Sequence, residues 1–496
     1  MHDSYSIRAK LILGISVLLA CPLMATTPEV SSSPETEESK GDPQQLLIDG
    51  DQLADDTKYG EALLRYKLAY QQIVPRLRGL DFKEAVNPAL MSRSELLQHL
   101  SGILEEEISD EQMRLMDRGF KAFGFIPTSL EVKSTLLDLY TEEVAGFYHP
   151  ATKKIFLITD VDQPKSRGLF GAIFGSRDPF NKSEQKVALA HEMAHALADQ
   201  HYDLDALQQA AKDNDDRSIA LSSLIEGEAT LVMMAETMRE SGNAQQVLQI
   251  SPEYMKLSFS VTKGLMPLAT GKTFRTAPLI FRESLMFPYL QGTIFVLHLT
   301  NRGKWIAVNE AFQKPPSSTE QILHPEKYYH PLHRDLPTRL VLPDLVSVVG
   351  SSWKELGRNV LGEFQIKTLL VKQHGDESAA GWDGDRYVVY ENTDGQLGLI
   401  WMTTWDSVKD AKEFTVAYRE FLHKKISLGS SSETSLDVQA LSTKDQIAAD
   451  SHWIVEQRAF HVAQRKRDVA IIEGFSEEET QAIAERIFHS KKIVAP

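Results

Sequence analysis

The sequence has almost no cysteine and no surplus of basic residues. Its single cysteine, Cys21, excludes a disulfide within the chain, and 53 Lys and Arg stand against 69 Asp and Glu, a formal net charge of -16. Because no basic surplus can neutralise phosphates, the composition argues against a nucleic-acid partner. A chain of 496 residues exceeds one ordinary hydrophobic core, so two or three domains are expected. Hydrophobic residues at 42% and charged residues at 25% are typical of a globular protein.

The N-terminal apolar run is short. Two basic residues precede an apolar stretch over 11–20, and small residues follow at 25–27. This order predicts that residues 1–25 are a signal peptide, since a bilayer span needs about 20 apolar residues. An exported chain without disulfides is typical of the bacterial periplasm or cell envelope, or of a secreted bacterial enzyme. Cys21 lies in "LLAC", which resembles a bacterial lipoprotein box, so lipidation there or an uncleaved anchor would be the routes to a membrane.

The next segments predict a linker and a small helical module. Residues 26–45 are rich in Ser, Thr, Pro and Glu, which predicts a disordered linker. Within 46–83, "KYGEALLRYKLAY" resembles the second half of a tetratricopeptide repeat, and Pro75 is expected to end its helix. Because only one copy is visible, a TPR-like helical hairpin that caps the next domain is favoured over a peptide-binding array.

The remaining pattern predicts an α+β protein with two larger domains. In the first, over 86–345, helical periodicity to about residue 145 precedes a β-hairpin in "GFYHPATKKIFLITD". A Gly-rich loop with apolar residues follows over 162–182, as a lid, a contact surface or a segment packed on the core. The second domain, over 350–496, mixes helices and strands, and "WIVEQRAFHVAQRKRDVAIIEGF" is predicted as two strands.

The segment "ALAHEMAHALADQH" concentrates ionisable groups in an otherwise apolar helical run. His191 and His195 lie one turn apart on one helix face, so both imidazoles can reach one metal ion. Glu192 lies at the edge of that face, where its carboxylate can reach a water on the metal. H-E-x-x-H on a helix therefore predicts a zinc hydrolase with one zinc ion per chain and Glu192 as general base. A chance match is disfavoured by its place in a helix directly after a hairpin.

Two segments offer the third ligand that such a site needs. His201 has the spacing of the last histidine in H-E-x-x-H-x-x-G-x-x-H, but Ala198 stands where that motif needs a glycine to turn. In "SLIEGEAT", Glu226 and Glu228 lie on a second predicted helix, where a buried carboxylate needs a partner such as zinc. Residues two apart on a helix point in nearly opposite directions, so only one of the two glutamates can face the metal.

Resemblance to a known group selects among these alternatives. "EGEA" resembles the N-E-G-x-A box of gluzincins, most visibly in the aminopeptidase N family, with Ile225 in place of Asn. This implies Glu226 as the third zinc ligand and Glu228 as a residue behind the ligands or at the surface. "FPYLQGTIFVLHL" resembles the P-Y-x-K-G segment of the same group, with Gln291 in place of Lys. This implies that Tyr289 donates a hydrogen bond to the oxyanion intermediate, the alternative being a packed core aromatic.

The resemblance spans about residues 140 to 310 and also extends to uncharacterised bacterial gluzincin-like proteins. It implies a zincin (gluzincin) catalytic domain, mostly helical, with a β-hairpin or small sheet before the zinc helix. The G-x-M-E-N box, with which aminopeptidases hold a free α-amine, is missing from "EEVAGFYHP". An endopeptidase that binds extended peptide or protein along the hairpin is therefore favoured. The alternatives are an aminopeptidase and a non-catalytic envelope protein that keeps the fold for interaction. Asp199 could orient a ligand histidine, cap the helix or lie at the surface.

Overall fold

The computed structural model describes residues 41–107, 109–143, 146–150, 152–159, 182–329, 334–429 and 450–493. The predicted signal peptide with Cys21, most of the linker and almost all of the 162–182 loop lie outside these residues. Helices dominate and three sheets accompany them, so the predicted α+β class is confirmed.

The helices of the first part of the chain are α1 (Pro43–Asp55), α2 (Tyr59–Arg78), α3 (Arg93–Glu107), α4 (Asp110–Phe123), α5 (Val132–Glu143), α6 (Lys182–Tyr202), α7 (Leu204–Ala211), α8 (Asp215–Arg239), α9 (Pro252–Ala269), α10 (Lys272–Thr276) and α11 (Leu279–Gln313). Those that follow are α12 (Thr319–Leu323), α13 (Pro325–Tyr329), α14 (Val346–Val349), α15 (Gly362–Leu369), α16 (Gly375–Ala379), α17 (Val408–Gly429) and α18 (Glu477–Ile487). The strands are β1 (Asn87–Ser92), β2 (Gly146–His149), β3 (Lys154–Thr159), β4 (Arg339–Val341), β5 (Trp353–Asn359), β6 (Trp382–Asn392), β7 (Leu397–Trp405), β8 (Asp450–Val455), β9 (Arg458–Arg465), β10 (Asp468–Phe475) and β11 (Lys491–Ile493).

Helices α1 and α2 form a hairpin whose buried side chains join the main hydrophobic core. Helix α1 begins before the predicted end of the linker, because Asp42 caps it and Pro43 suits its first turn. The prediction that Pro75 ends the second helix is wrong. The helix continues through the buried Arg78 and ends where Gly79 adopts a left-handed φ of 74°. A proline in the last turn removes one hydrogen bond, which burial of the following residues outweighs here.

A three-stranded sheet with the order β1-β3-β2 precedes the motif helix α6. Strands β2 and β3 form the predicted antiparallel hairpin, and β1 pairs in parallel with β3. Strand β1 lies in a stretch that was predicted as helical, and that prediction is wrong for these six residues. Its sequence "NPALMS" has no strict alternation, so its pairing with β3 and not a local pattern makes it a strand. The order leaves β2 at the edge of the sheet.

Helices α6, α8 and α11 form the centre of the main core, and two glycines set their approach. A Cβ on Gly227 would lie 2.2 Å from the backbone of Gly292, and one on Gly292 would lie 2.0 Å from the carbonyl oxygen of Ser223. Only glycine therefore lets α8 and α11 cross in backbone contact. In the described part of the chain, α8 is the one helix long and apolar enough to cross a membrane. However, 94% of the 18-residue apolar stretch in this helix is buried inside the molecule, as it would be in a core helix.

The C-terminal part contains an antiparallel sheet with the order β5-β6-β7-β10-β9-β8. Alternate side chains of its strands pack against α15 and α17 on one face, and against α14 and α18 on the other. The segment predicted as two strands is three, because Glu456 and Gln457 form a tight turn at φ 51° and 66°. Such turns favour Asn-Gly, so Glu-Gln gave no signal. Leu340 and Leu345 already pack on this sheet, ahead of the predicted start at residue 350.

Candidate metal centre

Three buried side chains from two helices converge on one point. His191 and His195, one turn apart on α6, have their Nε2 atoms 2.9 Å from each other. Oε2 of Glu226 on α8 lies 3.2 Å from Nε2 of His191 and 3.4 Å from Nε2 of His195. Each of these side chains is 1% exposed. The structure thus brings together the three residues that were predicted as metal ligands.

The spacing of these donor atoms fits a small divalent cation. Ligands of a tetrahedral zinc ion at about 2.0–2.1 Å lie roughly 3.3–3.4 Å apart, close to the separations between the carboxylate oxygen and the two imidazole nitrogens. Two imidazoles and one carboxylate also form a donor set that catalytic zinc sites use, with one position left for water or substrate. The residues therefore fit a small divalent cation such as zinc in kind and number, and the two imidazole nitrogens, 2.9 Å apart, are closer together than ligands of a bound ion would be.

The electrostatics of the cluster are those of closely spaced buried charges. Burial and the neighbouring His195 lower the pKa of His191 to about 4. Burial opposes charge on His195 as well, but the carboxylates of Glu226, Glu192 and Glu228 outweigh it and raise the pKa of His195 to about 9. Burial also opposes charge on Glu226, and the two imidazoles overcome it and hold the pKa of this carboxyl well below its usual range. Glu226 is therefore an ionised, buried carboxylate whose cationic partner is the His195 imidazole.

Glu192 lies beside the ligand cluster, next to the edge strand β2. Burial and the charge on Glu226 raise its pKa to about 7, while His195 and the backbone N–H of Tyr148 oppose the shift. Its Oε2 is buried and has no hydrogen-bond partner among the described residues. A buried carboxylate oxygen without a donor is costly, and it is positioned to accept a proton from a molecule that enters the site.

Tyr289 reaches the same point from α11. Its ring stacks near that of His191 with centroids 6.1 Å apart, and its hydroxyl donates a hydrogen bond to Glu226. Burial and the carboxylates of Glu226 and Glu192 raise the pKa of Tyr289 well above its usual value, so the hydroxyl stays protonated. The predicted oxyanion donor therefore lies at the cluster, and the close crossing at Gly292 brings it there. Sequence inspection did not identify Gly227 and Gly292 as positioning residues, although both stand in the two motifs.

Asp199 connects the hairpin to the motif helix. Its Oδ2 accepts hydrogen bonds from the Tyr148 hydroxyl at 2.8 Å and from Lys153 Nζ at 2.5 Å, and its Oδ1 accepts one from Leu204 N at 3.0 Å. Of the three roles considered for Asp199, the structure shows capping, since Asp199 accepts from the first N–H of α7. Its bonds to Tyr148 and Lys153 also hold the β2–β3 hairpin against α6. The backbone N–H of Tyr148 also bonds Glu192, so this residue of β2 contacts both Asp199 and the site.

The two rejected ligand candidates lie elsewhere. Nε2 of His201 lies 2.8 Å from the carbonyl oxygen of Asp81, and α6 runs straight past Ala198 to Tyr202. Glu228 is 0% exposed and forms an ion pair with the equally buried Arg78, so the surface position allowed for it is wrong. Glu228 can be buried because Arg78 on α2, 150 residues away in the sequence, is its counterion.

A second group of acidic residues resembles a metal site but holds a lysine. Carboxylate oxygens of Glu320, Asp335 and Asp406 lie within 4.8 Å of one another. Nζ of Lys327 lies 2.5, 3.0 and 2.6 Å from them, respectively. The ammonium group occupies the place that a cation would take, so this group is an ion-pair network.

Comparison with known proteins bears on the C-terminal part alone. Residues 349–484 match a domain of unknown function (DUF8575), a segment that includes none of the residues of the metal centre. No curated protein and no solved structure matches the chain.

Proposed function

We propose that the chain is an exported zinc-dependent peptidase with a catalytic domain of the zincin (gluzincin) type. His191, His195 and Glu226 would hold one zinc ion, and Glu192 would be the general base. The observation that supports this proposal is a buried donor set of two imidazoles and a carboxylate, with a second buried carboxylate beside it whose Oε2 has no hydrogen-bond partner among the described residues.

The residues around the cluster supply what peptide hydrolysis needs. A zinc ion held there supplies Lewis acidity and makes a water nucleophile accessible near neutral pH. Glu192 accepts the proton of the attacking water and delivers it to the departing amine. Tyr289 remains protonated, and its hydroxyl donates a hydrogen bond to the oxygen that becomes negative as the carbonyl is attacked.

The edge strand supports an extended substrate. In the order β1-β3-β2, strand β2 has one side that pairs with no strand of the described residues, and its Tyr148 backbone contacts Glu192. An extended peptide can add to such an edge by main-chain hydrogen bonds, which places a scissile bond near the general base. Internal cleavage of peptides or proteins is therefore the favoured activity, and no contact with nucleic acid is proposed.

Zinc content and peptide cleavage test the proposal together. Wild-type protein is expected to contain about one equivalent of zinc by elemental analysis and to cleave members of a broad peptide library. Glu192→Gln should retain the zinc and lose activity on the order of 1000-fold, because the proton acceptor is gone while the ligands remain. His195→Ala should lose the zinc, whereas the control His201→Ala should keep both zinc and activity.

Three other outcomes would contradict the proposal in different ways. Zinc bound without any difference between wild type and Glu192→Gln across the library would overturn the peptidase and leave a metal-binding envelope protein. Cleavage that requires a free N-terminus would replace the endopeptidase by an aminopeptidase. Equal loss of zinc in His195→Ala and His201→Ala would remove the basis for the ligand set itself.

A further inference from the structure

A cavity of about 700 Å³ lies between the helical part and the C-terminal sheet, away from the metal centre. One wall comes from α4 and from the junction of α7 and α8, and the other comes from the segment 336–342 and strands β5 and β6. None of the candidate metal ligands lines it. The cavity is thus a separate concave site, at a boundary between two parts of a fold where ligand sites commonly occur.

The cavity has an excess of cationic side chains in a chain whose net charge is -16. The cations that line it are Lys212, Arg217, Arg339, Arg358 and Arg386, and the carboxylates are Asp213, Asp215 and Asp385. An acidic protein that gathers arginines around one concavity concentrates its positive potential there.

The lining carboxylates offset the charge of these arginines only in part. Asp385 accepts hydrogen bonds from the backbone N–H groups of Leu361 and Gly362 and from two indole N–H groups. Burial raises the pKa of Asp215 to about 7, so near neutrality this carboxyl is only partly charged. Asp385 and Asp215 interact electrostatically with Arg386, but three carboxylates against five cations leave the lining with a net positive charge.

Arg386 is the central feature of the site. No carboxylate among the described residues lies within ion-pair distance of its guanidinium, and the same holds for the exposed Arg339; Arg358, by contrast, pairs with Glu355 at 2.6 Å. Burial lowers the pKa of Arg386, the neighbouring Arg358 and Arg339 add to this effect, and Tyr387 and Asp385 oppose it. A part-buried guanidinium among like charges is stabilised by an oxyanion, which it can bind with two parallel hydrogen bonds.

Part of the remaining lining is apolar. Leu115, Met116 and Phe120 of α4 line the cavity, as do Leu342 and Trp382. Water forms no hydrogen bonds with such walls. An apolar group that displaces this water contributes about 25 cal/mol of binding free energy per Å² of buried surface. A simple inorganic anion would leave this surface uncovered.

We propose that the cavity binds a small amphipathic anion, an apolar body that carries one carboxylate or phosphate group held by Arg386 and Arg339. The site is independent of the metal centre, and its ligand is neither the substrate nor the zinc of the proposed peptidase. The two anionic groups share the same recognition by guanidinium forks.

Calorimetric titration of the full-length chain with octanoate, octyl phosphate and 1-octanol tests the proposal. At least one of the two anions should bind saturably with about one equivalent, and 1-octanol, with the same apolar body, should bind at least tenfold more weakly. The comparison of octanoate with octyl phosphate identifies the preferred head group. Arg386→Gln should weaken the binding of the preferred anion at least tenfold, because its guanidinium makes the charged hydrogen bonds. Arg465→Gln is the control, since this exposed arginine pairs with Asp450 outside the cavity.

Folding is checked by circular dichroism, and Arg339→Gln provides a second variant whose exposed side chain is not needed for packing. It should also weaken binding, by a smaller factor than Arg386→Gln. Absence of saturable binding by both anions would overturn the proposal, as would equal affinity of wild type and both cavity variants. Equal binding of octanol and the anions would show an apolar cavity without anion recognition. Because the readout is binding, none of these results depends on peptidase activity.

Discussion

The two faces of helix α8 carry the same type of residue in two different settings. Glu226 faces α6 and meets the imidazoles of His191 and His195. Glu228, two positions later, faces α2 and forms a buried ion pair with Arg78, whose guanidinium lies 4.5 Å from the ring centre of Trp305. Both carboxylates are almost completely buried, so exposure does not distinguish them.

The difference lies in the partner. A guanidinium is permanently charged and offers no lone pair, so the Glu228 face is neutralised by the protein itself and cannot ligate a metal. Neutral imidazoles offer lone pairs, and together with Glu226 they form a donor set that a divalent cation completes. Burial of a carboxylate therefore indicates a function only after its counterion is known.

The largest expected difference between substitutions of the two glutamates is in the amount of bound zinc and in the rate of peptide hydrolysis. Glu226→Gln should lose bound zinc and reduce peptide hydrolysis on the order of 1000-fold, because an amide oxygen is a weak ligand for zinc. Glu228→Gln, if folded, should retain zinc near one equivalent. Elemental analysis and a cleavage assay on both variants check this, and loss of zinc from Glu228→Gln alone would reverse the assignment of the two faces.

The next effect separates them by stability. Glu228→Gln leaves Arg78 buried without its counterion, which should lower the free energy of unfolding by about 3–5 kcal/mol. The double substitution Arg78→Met with Glu228→Leu should recover most of this loss, because two apolar side chains replace the pair. Urea unfolding of zinc-free protein measures both, and additive losses in the double variant would contradict the ion-pair account.

A smaller effect is expected at Tyr289, the side chain of α11 that contacts Glu226. Tyr289→Phe should lower kcat by about 100–1000-fold with zinc retained, since a single oxyanion donor contributes roughly that factor. Tyr418→Phe is the control, because Tyr418 is also buried but its hydroxyl bonds Glu473 in the C-terminal part, outside the metal centre. Equal kcat values for the two variants would make Tyr289 a packed core aromatic.

A third buried carboxylate of α8, Asp216, has no ion pair with a cation in the described part of the chain and extends the comparison to pH. Its Oδ1 accepts a hydrogen bond from Thr319 N at 3.0 Å, and burial raises its pKa from 3.8 to about 8. Between these values the unfolded chain releases the proton that the folded chain retains. Ionisation then favours the unfolded state, so this contribution to stability falls as the pH rises and levels off above about pH 8.

Asp216→Asn removes this titration and keeps an oxygen for Thr319. The free energy of unfolding of wild type should fall more steeply with pH than that of the variant, by up to about 1.4 kcal/mol per pH unit between roughly pH 5 and pH 8. Urea unfolding over that range gives the two slopes. Parallel curves would show that Asp216 is ionised in the folded protein.

Contacts along one helix were predictable from the sequence, because covalent geometry sets them. The spacing of His191 and His195 fixes their common face, and Ala198 in place of glycine predicts the straight course that leaves His201 outside the cluster. The same geometry showed that Glu226 and Glu228 must face opposite ways, and resemblance selected Glu226. The hairpin before α6 was also predicted correctly, from local pattern alone.

Contacts between elements were decided by the tertiary structure. The sequence did not reveal that Arg78 neutralises Glu228, that β1 joins the sheet or that Gly227 meets Gly292 across two helices. Nor did it show that Arg386 lies among other arginines in a cavity. Each of these depends on residues far apart in the chain, whose approach is set by packing of the whole core. The sequence by itself thus determined the face that carries the metal motif, and the packing determined which charges that face and its opposite meet.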